Sequence, residues 1–326
     1  MSTVIHVCKL SKHFQSRETA PGVWGSLKGL FCAQKRKIDA VKEISFSVKE
    51  AEKVAFIGPN GAGKSTTIKM LTGILYPTSG SIEVMGIVPW KNRRALGFEI
   101  GVVFGQRTQL WYHLPPSDTF KLLSKIYEID PVQYQKRFEE LTELFELAPF
   151  LNKPVRQLSL GERMRCEIVA SLLPRPKILF LDEPTIGLDV NAKLLIRKLL
   201  NRLTTDYKTT LFLTSHDTAD IEQICDRVIV IDKGEVIADT SLRELKKTYC
   251  KKKLLTLITE HESINLDCPG IKVLENTRFH FKCEVDIQKT TMNRVVDEAF
   301  KITNLKDITI EDMSMDEVIQ IIYSER

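Results

Sequence analysis

A chain of 326 residues, 43% hydrophobic and 27% charged, is long enough for one large domain and a smaller one, and too apolar to be disordered. Its net charge of +5 permits contact with an anionic membrane surface, although surface lysines usually serve only solvation. No stretch approaches the roughly 20 apolar residues of a membrane-spanning helix, and the N-terminus lacks the pattern of a secretion signal. Seven cysteines without a CxxC spacing predict reduced, mostly buried thiols of a cytosolic protein. These features argue against a membrane-spanning chain and against a secreted one.

The first predicted elements are strands at residues 4–10 and 41–48, the second recognised by its alternation of apolar and polar residues. Between them, the segment from about Arg17 to Ile38 carries apolar side chains at near-helical spacing beside a basic run. The apolar residues are Trp24, Leu27, Leu30 and Phe31, and the basic run is Lys35, Arg36 and Lys37. This 17–38 insertion is predicted either to lie against a membrane surface or a membrane partner, or to form a solvated hairpin. The sequence leaves both alternatives open.

Residues 58–65 form a glycine-rich loop of the pattern GxxxxGKS/T, placed between the apolar run 54–57 and the helix-like stretch 66–75. Its glycines let consecutive backbone N–H groups turn toward phosphate oxygens, and the helix N-terminus behind them adds a partial positive charge. Lys64 supplies a full charge to the same oxygens, and Ser65 is placed to hold a Mg²⁺ ion. The loop therefore predicts a nucleotide site, without distinguishing a kinase, a GTPase and a transport ATPase. The predicted nucleotide-binding residues are Gly58, Pro59, Asn60, Gly61, Ala62, Gly63, Lys64, Ser65 and Thr66.

From residue 53 to about 240, short β-rich runs alternate with helical ones, which is the pattern of an α/β fold with a largely parallel sheet. The predicted strands in this stretch include 177–182, 209–214 and 227–231, and the predicted helices include 63–75, 189–203 and 217–225. Residues 108–172 show few strand signals and have helical periodicity at 120–127 and 134–147. They predict a helical subdomain inserted between the strands.

The character of the sequence changes after residue 245, and residues 246–326 predict a small α+β domain. A strand is predicted at 254–258. Residues 278–286 alternate so that one face of a sheet would be covered and the other wet, the covered face carrying Phe279, Phe281, Cys283 and Val285. Helical patterns follow at 291–302 and 314–324, the second opened by Ser314 and Glu317 as a capping box.

Two adjacent acids, Asp182 and Glu183, end an apolar strand beyond the phosphate loop. Adjacent strand residues face opposite ways. Asp182 is therefore predicted to reach the Mg²⁺ shell, and Glu183, at the strand tip, to orient or deprotonate an attacking water. The preceding stretch 158–162 opens a helix with a hydroxyl residue and a glycine, which brings backbone N–H groups within reach of an anion.

The order of these elements resembles that of the ATP-binding cassette ATPases, over about residues 4–240. Phe14 matches the aromatic residue that stacks on adenine, and Gln106 matches the glutamine that links the metal and the γ-phosphate to the membrane partner. Asp189 falls in the D-loop of the family, and His216 matches the switch histidine, placed at a strand end to donate a hydrogen bond to the γ-phosphate. The signature motif LSGGQ is matched by Leu158, Ser159, Leu160, Gly161 and Glu162.

The sequence departs from the family pattern at two places. In the signature, Leu160 stands where glycine is usual and Glu162 where glutamine is usual, so the contacts of those two side chains carry over less securely than those of Ser159 and Gly161. The glutamine loop offers two candidates: spacing favours Gln106, and Gln109 is its rival.

The resemblance implies a P-loop NTPase cassette at residues 1–245, with an antiparallel β subdomain and the inserted helical subdomain. It implies an ATPase that uses ATP and Mg²⁺, with Glu183, His216 and Gln106 as catalytic residues and Ser65, Gln106 and Asp182 at the metal. It also implies a homodimer that holds each ATP between the phosphate loop of one copy and the signature of the other. Such a homodimer would dock on separate permease subunits, peripherally, at the cytoplasmic face of the plasma (inner) membrane, without nucleic acid.

The finer resemblance is to bacterial exporter cassettes of the drug and polysaccharide efflux group, through the insertion and the stretches 109–116 and 184–189. The expected function is therefore to energise an exporter by ATP-driven dimer closure. An importer cassette with a ligand-sensing C-terminal domain is the alternative. Trp111 and Tyr112 are either a permease-docking patch or part of a core, and the sequence does not separate the two.

Overall fold

The computed structural model describes residues 2–18, 34–105, 107–259, 266 and 268–324. It divides into two compact units, Met1–Thr240 and Ser241–Arg326. The division falls slightly before the predicted position 245, because Ser241 caps a helix, Leu242–Tyr249, that contacts the helix Met315–Ser324 of the second unit. Among the described residues, no helix combines the length and apolar character needed to cross a bilayer.

The first unit contains a three-stranded antiparallel sheet and a six-stranded sheet, the latter largely parallel, as the sequence predicts. The strands are β1 (Thr3–Glu18), β2 (Gln34–Lys49), β3 (Lys53–Ile57), β4 (Ser79–Val84), β5 (Ile100–Phe104), β6 (Ile178–Asp182), β7 (Thr210–Thr214), β8 (Arg227–Asp232) and β9 (Glu235–Ser241). The smaller sheet has the order β2-β1-β4 and the larger one β5-β6-β7-β3-β8-β9. Strands β3, β6 and β7 are apolar and buried almost throughout because a parallel sheet is covered on both faces.

Most helices of the first unit lie close to the predicted positions, whereas the helix Arg93–Glu99 was not predicted. They are α1 (Lys64–Leu71), α2 (Arg93–Glu99), α3 (Pro116–Ile126), α4 (Pro131–Leu144), α5 (Leu160–Leu172), α6 (Val190–Tyr207) and α7 (Thr218–Ile224). The carboxyl ends of β3, β6 and β7 meet at one edge of the sheet, and the loops that leave them lead into α1, α6 and α7. That edge is where ligands bind in sheets of this kind.

Strands β1 and β2 extend well past the predicted 4–10 and 41–48, forming a long hairpin paired as far as Glu18 and Gln34. The extension is polar along much of its length, so the hydrophobic alternation that identifies a half-buried strand is absent there. The two ends of the 17–38 insertion pair with each other as antiparallel strands, which favours the hairpin alternative. Its apolar residues Trp24, Leu27, Leu30 and Phe31 lie outside the described residues, and membrane contact by this segment stays a prediction.

Helices α3, α4 and α5 lie within the predicted helical subdomain, and α3 and α4 contact each other through an edge-on pair of rings, Phe120 and Phe138. Asp130 caps α4 by accepting hydrogen bonds from two backbone N–H groups, and Pro131 occupies the first turn. Ahead of α3, the side chains of Trp111 and Tyr112 are 41% and 52% exposed. The core alternative for these two aromatic residues is therefore wrong, because a core residue is shielded from solvent.

The second unit is a four-stranded antiparallel sheet with helices, of the α+β class expected. Its elements are α8 (Leu242–Tyr249), β10 (Lys252–Thr259), β11 (Ile271–Thr277), β12 (His280–Asp286), α9 (Met292–Ile302), β13 (Leu305–Asp312) and α10 (Met315–Ser324), with the strand order β11-β12-β10-β13. The predicted capping box forms: Ser314 and Glu317 each accept a hydrogen bond from the other's backbone N–H.

The inner face of this sheet carries Phe281, Cys283 and Val285 as predicted, packed with residues of α9. The placement of Phe279 on that face is wrong. Phe279 lies in the turn before β12 with a φ of 66°, and its ring is 40% exposed. The alternating pattern continues through the turn and so extends the apparent strand by one apolar residue.

The cysteines provide a test of the packing. Burial raises the pKa of Cys166 and of Cys283 to about 12, whereas Cys8 is exposed. Because alkylation requires the thiolate, iodoacetamide at about pH 8 should label Cys8 and leave Cys166 and Cys283 unmodified in the folded protein. Peptide mass spectrometry before and after unfolding in urea measures this. Rapid labelling of Cys166 in the native state would contradict the packing of α5.

Candidate nucleotide site

The glycine-rich loop connects β3 to α1 and can be built only with glycine at two of its positions. A Cβ atom at residue 58 would lie 2.2 Å from the carbonyl oxygen of Ile231, and one at residue 63 would lie 2.4 Å from that of Ala40. Gly63 also has a φ of 108°, which side chains with a Cβ rarely adopt. Backbone carbonyl groups are thus packed closely against one side of the loop, which leads directly into the N-terminus of α1.

Lys64, the first residue of α1, is buried and its ammonium group lies across the loop. Nζ donates hydrogen bonds to the carbonyl oxygens of Gly58 at 2.6 Å and Pro59 at 3.2 Å. Burial lowers the pKa of Lys64, and the nearby charges of Glu183 and Asp182 oppose that shift. The cation is held by neutral carbonyl groups, which anionic phosphate oxygens would replace with a stronger charge-assisted bond.

A cavity of about 660 Å³ opens in front of the loop at the carboxyl edge of the sheet. It is lined by Ala40, Gly58, Pro59, Asn60, Gly61, Gly63, Lys64, Ser65, Thr66, Glu183, Ile186 and His216. Most of the predicted phosphate-loop residues therefore meet Glu183 and His216 around one space. Ile186, which also lines it, belongs to the predicted D-loop at residues 186–189. Ala40 was not predicted, because an apolar residue in a strand gives no separate signal for a ligand.

Oxygen ligands of the kind that Mg²⁺ prefers come together beside the loop. Asp182 Oδ1 accepts hydrogen bonds from Ser65 Oγ at 3.2 Å and from Thr214 Oγ1 at 2.6 Å. A hydroxyl from α1 and a carboxylate from β6 fit a hard divalent cation that keeps several of its waters. Thr214, the last residue of β7, was not predicted, since its contact depends on the alignment of β6 with β7.

Glu183 and His216 contact each other across the cavity wall, with Glu183 Oε2 and His216 Nδ1 2.6 Å apart. Their approach follows from the backbone, because β6 ends at Asp182 and Glu183 then adopts a φ of 57°. The expected alternation of strand residues therefore does not set the direction of Glu183. A non-glycine residue in this left-handed region is uncommon, and such conformations concentrate at functional sites.

Gln106 lies outside the described residues, but the residue before it is fixed against the two acids. The backbone N–H of Gly105 donates to the carbonyl oxygen of Asp182 at 2.8 Å, and a Cβ atom at residue 105 would lie 2.1 Å from the carbonyl oxygen of Glu183. Gln109 is engaged elsewhere. Its side-chain amide donates to the backbone carbonyl of Glu167 on α5 at 3.0 Å, and its backbone N–H donates to the buried Glu167 carboxylate.

Three signature residues, Ser159, Gly161 and Glu162, line a second space together with Asp189 of the D-loop, a groove of about 430 Å³. Ser159 caps α5 by accepting from the N–H of Glu162, whose carboxylate in turn accepts from the N–H of Ser159. Glu162 therefore has a structural role as the partner in a capping box, a role that glutamine also fills. Leu160 begins the helix, and Asp189 caps α6 by accepting from the N–H of Ala192. The groove shares no lining residue with the cavity of the phosphate loop.

Phe14 is 39% exposed on the long hairpin, opposite Ile38 on β2. Its ring is not buried in the core and so is available to a planar ligand. The ammonium group of Lys12 lies 5.2 Å from the ring centroid, a cation–π contact that the sequence did not predict.

Comparison with known proteins gives a consistent result. Residues 41–186 match the profile of the ABC transporter family. The chain is 32% identical over 215 residues to the ABC transporter ATP-binding protein NatA of Bacillus subtilis, covering 66% of this chain and 87% of NatA. It is 36% identical over 198 residues to the linearmycin resistance ATP-binding protein LnrL of the same organism, covering 61% and 63%. A solved dimeric ATP-binding cassette in a post-hydrolysis state, bound to ADP and phosphate, aligns over 73% of this chain and 99% of its own, with 26% identity and a TM-score of 0.61.

Proposed function

Since this chain belongs to the ABC transporter family, as an ATP-hydrolysing ATP-binding protein, we propose that it is the peripheral energising subunit of an exporter. Two copies would form a homodimer on separate transmembrane permease subunits at the cytoplasmic face of the membrane. The export direction follows its relatives, among which is a resistance protein. The importer alternative has no such support.

One observation carries the dimer proposal: the chain presents two separate half-sites. The cavity of the phosphate loop contains Glu183 and His216, and the groove contains Ser159, Gly161 and Asp189. Neither encloses a triphosphate by itself. A two-fold, head-to-tail arrangement would place the groove of each copy over the cavity of the other, which is the arrangement typical of this family. ATP then favours the closed dimer because it contacts both copies, and hydrolysis removes that preference.

The proposed roles of the residues follow their positions. The backbone N–H groups of the loop after Pro59, as far as Thr66, and the Lys64 ammonium would bind the β- and γ-phosphates, while Phe14 would stack on adenine. Glu183 would accept a proton from water or orient it, with His216 held beside it to donate a hydrogen bond to the γ-phosphate.

Ser65, Asp182 and Gln106 would hold the magnesium ion, which when bound neutralises charge on the phosphate oxygens. Gln106 is preferred to Gln109 because the amide of Gln109 is already bonded to α5.

Removal of the metal should stop hydrolysis. Asp182→Asn should raise the magnesium concentration that the enzyme requires for activity. The amide keeps one oxygen but loses the negative charge, so we expect the magnesium concentration for half-maximal ATPase activity to rise by about tenfold or more. Titration of MgCl₂ into EDTA-treated protein at fixed ATP measures the change. Asp206→Asn, on the exposed end of α6, is the control. An unchanged titration curve for Asp182→Asn would remove this residue from the metal site.

The proposed role in a transporter predicts that the chain binds membranes only when permease subunits are present. Co-expressed with its permease subunits, the chain should sediment with membranes, and without them it should stay in the supernatant. Equal sedimentation in both cases would contradict docking on a permease. A neighbouring gene for an extracytoplasmic binding protein would favour import instead.

A further inference from the structure

Behind the nucleotide site, a carboxylate and a guanidinium group are buried together. Asp220 on α7 is 0% exposed and Arg197 on α6 is 7% exposed. Arg197 Nε donates to Asp220 Oδ1 at 2.6 Å. Removing two charges from water costs about as much as their attraction returns, so a buried ion pair is a weak source of stability. Its presence here calls for another role.

The other carboxylate oxygen of Asp220 joins the two segments that carry Glu183 and His216. Oδ2 accepts a hydrogen bond from Ser215 Oγ at 2.8 Å and another from Thr185 Oγ1. Ser215 directly precedes His216, and Thr185 comes shortly after Glu183 in the turn that leaves β6. One side chain is thus bonded to both loops, although it does not line the nucleotide cavity.

Helix α6, which carries Arg197, also binds Asp217, the residue that follows His216. Asp217 Oδ2 lies 2.6 Å from Lys193 Nζ and 3.1 Å from Arg197 Nη2, both on α6. Asp217 also caps α7 by accepting from the N–H of Ala219. His216 therefore stands between two anchored residues while its own side chain stays exposed and reaches Glu183.

We propose that Asp220, fixed by Arg197, is a positioning residue for hydrolysis. Through Thr185 and Ser215 it holds the loops that carry Glu183 and His216 in a fixed position relative to each other. The proposal rests on the catalytic roles given above to Glu183 and His216. Asp220 touches neither nucleotide nor reacting atoms, so its loss should affect kcat rather than the binding of ATP. Small displacements of a catalytic group cost large factors in rate, whereas the phosphate loop is built on β3 and α1 and is independent of Asp220.

Asp220→Asn tests this because it keeps the shape of the side chain but loses the charge that pairs with Arg197. We expect kcat to fall by about 10- to 100-fold with the KM for ATP changed by less than about twofold. The matched control is Asp239→Asn in the same unit, which removes a carboxylate paired with Arg227 at 2.6 Å on β8, away from the site. It should leave both constants within about twofold of the wild type.

A double-variant comparison separates positioning from general damage. In a Glu183→Gln background, Asp220→Asn should change the residual single-turnover rate by less than about threefold, since residues that act as a unit are not additive. The same loss in both backgrounds would mean that Asp220 does not act through Glu183 and would overturn the proposal. If Glu183→Gln alone hydrolyses ATP at the wild-type rate, the error lies in the role of Glu183, and positioning through that residue fails with it.

A second variant covers the case in which Asp220→Asn does not fold. Thr185→Val with Ser215→Ala leaves the Arg197–Asp220 pair intact and removes the two hydroxyl links to Asp220, together with the hydrogen bonds of Ser215 Oγ to the backbone of Asp217. It should fold, bind ATP and show the same selective fall in kcat. A folded double variant with wild-type kcat would contradict the proposal.

Discussion

Glu183→Gln should nearly abolish steady-state ATP hydrolysis while leaving ATP binding intact. The carboxylate lines the phosphate cavity and lies 2.6 Å from His216, where it is placed to accept a proton from water. Glutamine has the same shape but cannot accept that proton. Since a general base contributes a factor of about 100 to 10,000, kcat should fall by that factor. Phosphate release measures the rate, and titration with a fluorescent ATP analogue measures binding.

The same variant should accumulate as an ATP-bound dimer, because the step that separates the two copies no longer occurs. Size exclusion with light scattering in the presence of MgATP should show twice the monomer mass for Glu183→Gln and mostly monomer for the wild type. Glu139→Gln, on the exposed surface of α4, is the control and should behave as the wild type. A Glu183→Gln protein that retains wild-type kcat would exclude Glu183 as the general base.

Lys64→Ala should weaken ATP binding strongly while leaving the backbone of the phosphate loop unchanged. Its ammonium group is the loop's one formal charge and lies between the carbonyls of Gly58 and Pro59 at the mouth of the cavity. A hydrogen bond to a charged group is worth about 1.5–3 kcal/mol, which corresponds to a loss of about 10- to 100-fold in affinity. Isothermal titration calorimetry with MgATP gives this value.

Lys69→Ala is the matched control, because Lys69 is on the same helix but does not line the cavity. Its ATP affinity should stay at the wild-type value, and the circular dichroism of both variants should match that of the wild type. Unchanged affinity in a correctly folded Lys64→Ala protein would remove the phosphate loop from the binding site.

Much of the site is readable from sequence because its chemistry depends on short segments. The loop at 58–65 needs glycine where the backbone is tightly packed, and the structure has Gly58 and Gly63 against carbonyl oxygens. The strand that ends in Asp182 and Glu183 is apolar because it is buried on both faces. Local patterns of this kind also locate β6, β7, β8 and most of the helices, whereas the parallel strand β5 and the helix α2 were not predicted.

Contacts between distant segments were not predictable. The bonds of Asp220 to Thr185 and Ser215 and the bond of Gln109 to α5 depend on which loops the fold brings together. Strands β11 and β13 were missed because most of their residues are exposed, so neither shows a clear alternation of buried and wet positions. The direction of the Glu183 side chain depends on a left-handed backbone conformation, which a glutamate in the sequence does not predict.

We propose that each ATP is held between two copies of this chain. A crystal structure of Glu183→Gln with MgATP is the decisive experiment. We predict ATP on the phosphate loop of one protomer, with its γ-phosphate contacted by Ser159 and Gly161 of the other. ATP bound by the residues of a single protomer, with both signature grooves open to solvent, would contradict it.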